Sequence, residues 1–115
     1  MVKVVVAQVS QLAVSFRLRQ FRLRVINSDP TFGEAEDHGT QQVPGTSPID
    51  CGLGNTTCGA SYEYGTKPVL DALWDTTRSL TVTWEGCDTG DPIRTNPALC
   101  PVTMTRARQV TVSWP

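Results

Sequence analysis

Apolar residues recur at every second position in several separate stretches of this chain. From Leu12 to Leu18 the even positions are apolar (Leu12, Val14, Phe16, Leu18), while Ser15 and Arg17 face the other way. A period of two is that of a β-strand with one buried face. At Arg19–Gln20 the phase slips by one. Phe21, Leu23 and Val25 then form the apolar set, opposed by Arg22 and Arg24. Such a slip moves side chains to the other face, so a bulge or a strand changing sheets is predicted there. Leu80, Val82 and Trp84 alternate with Thr81 and Thr83, a further strand. Val102 and Met104 share one face, "TRAR" turns, and Val110, Val112 and Trp114 share the next, which reads as a closing β-hairpin. Val69–Trp74 is a short apolar piece that suits a strand or one helical turn.

Between these stretches the chain is rich in turn formers. Residues 27–50 hold Pro30, Gly33, Pro44 and Pro48 and read as a long loop or a loose hairpin arm. "EGCDTGDPIRTNPALC" reads as a loop bounded by cysteines. Val and Thr are abundant and helix signals are poor, so the fold class is mainly β. A length of 115 residues suits a single domain.

Charge narrows the function classes. The formal net charge is −1, with Lys only at positions 3 and 67 and eight Arg. This balance suggests neither nucleic acid nor an anionic membrane as partner. No apolar run approaches the roughly 18 residues of a membrane helix. The first twenty residues alternate and are broken by Gln8, Ser10 and Gln11, unlike a signal peptide's apolar region. The chain as given carries no clear export signal.

Four cysteines stand at C-x6-C (51, 58) and C-x12-C (87, 100). Neither spacing is a zinc knuckle, the sole His is His38, and no C-x-x-C redox motif occurs. A disulfide framework and an oxidising compartment fit best. The residues leave all three connectivities open.

The second half, "SPIDCG…CGASYEYGT", "LTVTWEGC" and "CPVTMTRARQVTVSW", resembles the divergent internalin-B-type repeat of bacterial surface proteins. Ile49, Cys51, Cys58, Tyr62, Gly65, Thr66, Trp84, Gly86, Cys87, Cys100, Val102, Met104 and Val110 occupy matching positions. Trp114 stands where that family often has Phe. The likeness runs from about Phe21 to Trp114; Pro68, "DALWDTTR" and a longer arm before Cys51 depart from the pattern. It implies a small β-grasp-like or sandwich-like domain over 21–115, preceded by an extra N-terminal strand segment over 1–20. It also implies bridges Cys51–Cys58 and Cys87–Cys100, the second joining strands expected to be neighbours in one sheet. Loops of these lengths, once closed, stabilise by roughly 2.5 to 3 kcal/mol each.

Candidate chemistry is sparse. No nucleophile motif or triad spacing occurs, so no enzyme activity and no cofactor are expected. Glu34, Glu36 and Asp37 beside His38 offer clustered oxygens for Ca²⁺, with a solvated acidic loop as the plainer reading. Asn55-Thr56-Thr57 is a sequon, read as a Thr-rich surface loop. "RLRQFRLR" reads as the polar face of a strand, or as a contact for an acidic partner. The early strand is long and nearly uncharged, and such a strand needs covering. Val4, Val6, Leu12, Val14, Phe16 and Leu18 are therefore candidates for assembly with another subunit. Tyr62, Tyr64 and Trp74 are candidates for a binding surface. The expected role is a structural module or subunit of a bacterial extracellular surface assembly: a stalk, spacer or filament subunit. Its expected partners are copies of itself or neighbouring modules. The alternatives are an adhesin-like module binding a glycan or host protein, and a phage virion surface or decoration protein.

Overall fold

The alternation along 20–27 becomes strand β1 (Gln20–Asn27), with Leu23 and Val25 buried and Arg22 and Arg24 exposed. A computed structural model describes residues 19–37, 39, 42–75, 81–88, 93–94 and 98–115. The strands that follow are β2 (Gly33–Asp37), β3 (Asp50–Gly52), β4 (Asn55–Thr57), β5 (Gly59–Glu63) and β6 (Val69–Trp74). Then come β7 (Val82–Glu85), β8 (Ile93–Arg94), β9 (Ala98–Pro101) and β10 (Arg108–Ser113). Among the described residues there is no helix, and Val69–Trp74 is a strand.

The strands form two sheets. Sheet I has the order β5-β1-β10-β7-β8, and sheet II the order β4-β3-β2-β6-β9. β1 and β10 pair in parallel, with Val25 opposite Val110, while the other pairings are antiparallel. One core joins the sheets. Leu23, Tyr62, Val82, Trp84, Val110 and Val112 come from sheet I; Ala35, Leu70, Ala72, Ala98 and Cys100 come from sheet II. Three alanines on sheet II leave room for Trp84 and Tyr62 on sheet I, the interlocking of large and small that dense packing requires. Trp84 Nε1–H donates to the Ala98 carbonyl across the gap at 3.2 Å, so the buried indole keeps its hydrogen bond.

Three expectations are corrected. Residues 27–50 are not merely an arm, because β2 lies within them at the centre of sheet II. "GEAED" carries only Ala35 as a buried apolar side chain, too little for periodicity to register. Second, the C-terminal segments do not form a hairpin. β9 pairs with β6 in sheet II, whereas β10 pairs with β1 and β7 in sheet I. The segment between them binds elsewhere: Val102 N–H donates to Pro68 O, and Met104 N–H to Thr66 O, each at 2.9 Å. Third, the strands flanking the second cysteine pair, β7 and β9, are not sheet neighbours, since they lie in different sheets.

Both disulfides accordingly work between sheets. Cys51 on β3 joins Cys58, which sits between β4 and β5 with a Cα–Cα distance of 4.7 Å. β4 belongs to sheet II and β5 to sheet I, so this bridge pins the crossing point. Val25 N–H donates to Cys58 O at 2.7 Å and ties the crossing to β1. Cys87, just past β7 in sheet I, joins Cys100 on β9 in sheet II at 5.4 Å.

The fold carries one more inter-sheet tie. At the end of β1, the Asn27 amide donates to Gly33 O (2.9 Å) and Cys51 O (2.8 Å) of sheet II. Its Oδ1 accepts from Asp29 N–H (3.1 Å) and Trp114 Nε1–H (2.8 Å). Gly52 makes the approach feasible, because a Cβ there would strike Gly33 O and lie 2.6 Å from Asn27 Nδ2.

Candidate functional site

The residues expected to bind from one surface are separated by the fold. Tyr62 is wholly buried, so its place in a binding surface is corrected. β5 turns its ring inward, and its hydroxyl donates to Asp37 Oδ2, which also accepts from Gln42 Nε2 at 2.6 Å. Burial, then the hydrogen bond and charge of Asp37, push the Tyr62 phenol well above its ordinary range. Trp74 is half-buried and meets Trp114 edge-on, with centroids 6.0 Å apart. Phe32 extends this aromatic group at 5.4 Å from Trp114. Tyr64 is the open ring of the three, half exposed at the end of β5 and 6.4 Å from Phe21. The candidate assembly residues Val4, Val6, Leu12, Val14, Phe16 and Leu18 lie outside the described residues.

Two charged surfaces take the place of that binding patch. The first is on the outer face of sheet I. Arg22 and Arg24 alternate outward along β1, opposite Ser61 and Gly59 of β5. With Thr56, Gly59, Arg108 and Gln109 they line a groove of about 620 Å³. A Cβ at Gly59 would come within 2.9 Å of the Arg22 guanidinium, so the bare backbone there lets that side chain lie flat. Arg108 is already engaged. It pairs with Asp88 at 3.0 Å and donates to Gly86 O (2.7 Å) and Thr103 O (3.1 Å). Burial opposes the Asp88 charge, but hydrogen bonds from Thr103 and Arg108, with the Arg108 charge, outweigh it and hold its pKa below the usual value.

The second surface is on the outer face of sheet II. Glu36 on β2 stands in register with Asp50 on β3 and with Asp71 on β6. Glu34 lies two positions along β2. Carboxylate oxygens of Glu34, Glu36 and Asp50 lie within 4.8 Å of one another, close enough for a hard cation to bridge. A hydrogen bond shared with Asp50, then burial and the Asp50 charge, raise the pKa of Glu34 despite the opposing hydrogen bond from Asn55. One Asp50 oxygen is buried without a hydrogen-bond partner.

This cluster differs from the one the sequence suggested. Asp37 serves Tyr62, and His38 lies outside the described residues. Asp50 enters instead, carried in by the β2–β3 pairing. Its signal in the sequence was absent, because no local spacing relates it to Glu36. The sequon residue Asn55 begins the exposed edge strand β4 and donates to Glu34 at 3.3 Å.

No family model, curated protein or solved structure matches this chain.

Proposed function

We propose that this chain is a non-catalytic structural module of an extracellular surface assembly, built to associate with copies of itself. The observation that carries this reading is the pair of disulfides, each bracing the two sheets against one another. Such bridges persist in oxidising compartments and stiffen small domains that meet mechanical or proteolytic stress outside the cell. The likeness to internalin-B-type surface repeats points the same way. So does the long stretch without charge from Val4 to Phe16, which suits strand exchange between subunits. An adhesin-like module for an acidic ligand is the second reading, favoured by the groove beside Arg22 and Arg24.

The test is the assembly state of the oxidised full chain, by light scattering behind size exclusion and by negative-stain electron microscopy. Ordered oligomers or fibres are expected. A protein that remains monomeric at millimolar concentration overturns the proposal. Deleting residues 1–18 then asks whether the N-terminal strand makes the contact.

A further inference from the structure

Arg22 and Arg24 occupy exposed positions on β1, and among the described residues neither guanidinium has a hydrogen bond or an ion pair. The third arginine of the groove differs, because Asp88 already matches the charge of Arg108. The groove therefore carries two uncompensated positive charges. Their placement is specific. Gly59 stands opposite Arg24 in the pairing of β1 with β5, yet the guanidinium that lies against it is that of Arg22. The Arg22 side chain thus runs along β1 and brings its charge to the level of Arg24. Like charges drawn together repel, and an anion held by both turns that repulsion into attraction. The rest of the lining is polar and neutral. Gln109 is exposed beside Arg24 in the parallel β1–β10 pairing, and Thr56 is exposed on β4. Among the described residues neither the Gln109 amide nor the Thr56 hydroxyl has a partner.

We propose that this groove binds an acidic sugar, its carboxylate held by Arg22 and Arg24 and its hydroxyls by Thr56 and Gln109. Guanidinium and carboxylate meet in planar, two-pronged pairs, which set orientation as well as attraction. Hydroxyl and amide groups both donate and accept, as the hydroxyls of a sugar require. A volume of about 620 Å³ is that of a small-molecule site. A long polyanion fits less well, because the groove offers it one doubly charged contact and the chain as a whole carries a net charge of −1. An extended peptide fits less well too. β1 is paired on both sides, by β5 and β10, so no strand edge is open to it there. The groove's apolar lining is one alanine and one bridged cysteine, which gives apolar side chains little to hold. The inference rests on the adhesin-like reading above and names its ligand.

The experiment is equilibrium dialysis of the full oxidised chain against a labelled trisaccharide ending in glucuronic acid. Circular dichroism and a thiol assay first establish the fold of each variant. The wild type is expected to bind, and to bind less as salt rises. The methyl ester of the same trisaccharide, which lacks the charge, should bind at least about tenfold more weakly. Arg22→Gln and Arg24→Gln should each weaken binding about tenfold. Arg19→Gln removes the same charge from an exposed position outside the groove and should stay within about twofold of the wild type. Gly59→Ala keeps every charge but pushes the Arg22 guanidinium aside, since the new Cβ would lie 2.9 Å from it, and should weaken binding about threefold. Arg22→Gln and Arg24→Gln variants that bind like the wild type overturn the inference. So does an Arg19→Gln loss as large as theirs, or a Gly59→Ala variant with unchanged affinity. A wild type that ignores glucuronate but retains a phosphate-ended trisaccharide, a sulfated oligosaccharide or an oligoglutamate peptide overturns it while leaving the adhesin-like reading standing. A wild type that binds none of these probes overturns both.

Discussion

Replacing Asn27 by Asp tests the inter-sheet tie with almost no change in shape. The native amide donates two hydrogen bonds, to Gly33 O and Cys51 O, and accepts two, from Asp29 and Trp114. Aspartate keeps both acceptor contacts but turns an oxygen toward two carbonyl oxygens. Two donor bonds are lost, each contributing about 1 kcal/mol net. Repulsion between the new charge and the carbonyl dipoles adds to this, tempered by the site's partial exposure. The expected loss is about 3 kcal/mol near neutral pH. Asn27→Ala should lose about 2 to 4 kcal/mol, and Trp114→Phe, which deletes one bond, about 1 kcal/mol. The assay is guanidinium unfolding of the oxidised protein, followed by tryptophan fluorescence. The Asn27→Asp loss should shrink at acid pH, where the protonated carboxyl regains one donor. If Asn27→Asp unfolds within about 0.5 kcal/mol of the native protein near neutral pH, the amide is not holding the sheets together.

The remaining predictions concern a turn, a carboxylate cluster and a bridge. Leu53 and Gly54 close the β3–β4 hairpin with φ of 50° and 90°, a left-handed turn that suits Asn-Gly better than Leu-Gly. Leu53→Asn should stabilise by about 0.5 to 1 kcal/mol in the same unfolding assay; a loss would refute the strain argument. Because the folded-state pKa of Glu34 is raised, its stabilising contribution is full below the unfolded carboxylate pKa and is lost as pH rises through the folded value. Glu34→Gln should therefore melt higher than native at neutral pH, by up to about 1 kcal/mol, with the advantage gone near pH ~4. Equal gains at both pH values would contradict the crowding of carboxylates. Opening Cys87–Cys100 by a double Ala substitution should lose about 3 kcal/mol, and opening Cys51–Cys58 about 2.5 kcal/mol, measured by denaturant unfolding. No change in either variant would show that the bridges do not restrain the unfolded chain.

Much of the β character was legible because it is a nearest-neighbour property. Leu23 and Val25 against Arg22 and Arg24, or Val82 and Trp84 against Thr83, declare their faces without reference to any other part of the chain. The same locality made Arg22 and Arg24 readable as an outward polar face. Strand β2 escaped notice because a strand centred in a sheet can be held by backbone pairing around one small buried side chain, Ala35. The parallel pairing of β1 with β10 joins segments more than eighty residues apart, and periodicity carries no information about partners at that distance. Partner choice follows from which arrangement buries Trp84 and Tyr62 against the alanines of sheet II, a property of the whole core.

The candidate site divides along the same line. Residue types and alternation established an all-β chain with four cysteines and a basic strand face. Only the tertiary structure drew Tyr62 inward to Asp37, brought Asp50 beside Glu36 and set the arginines and carboxylates on opposite faces. Local patterns determine which way a side chain points from its own strand. Long-range pairing determines what stands beside it, and for charged groups the neighbours decide the chemistry.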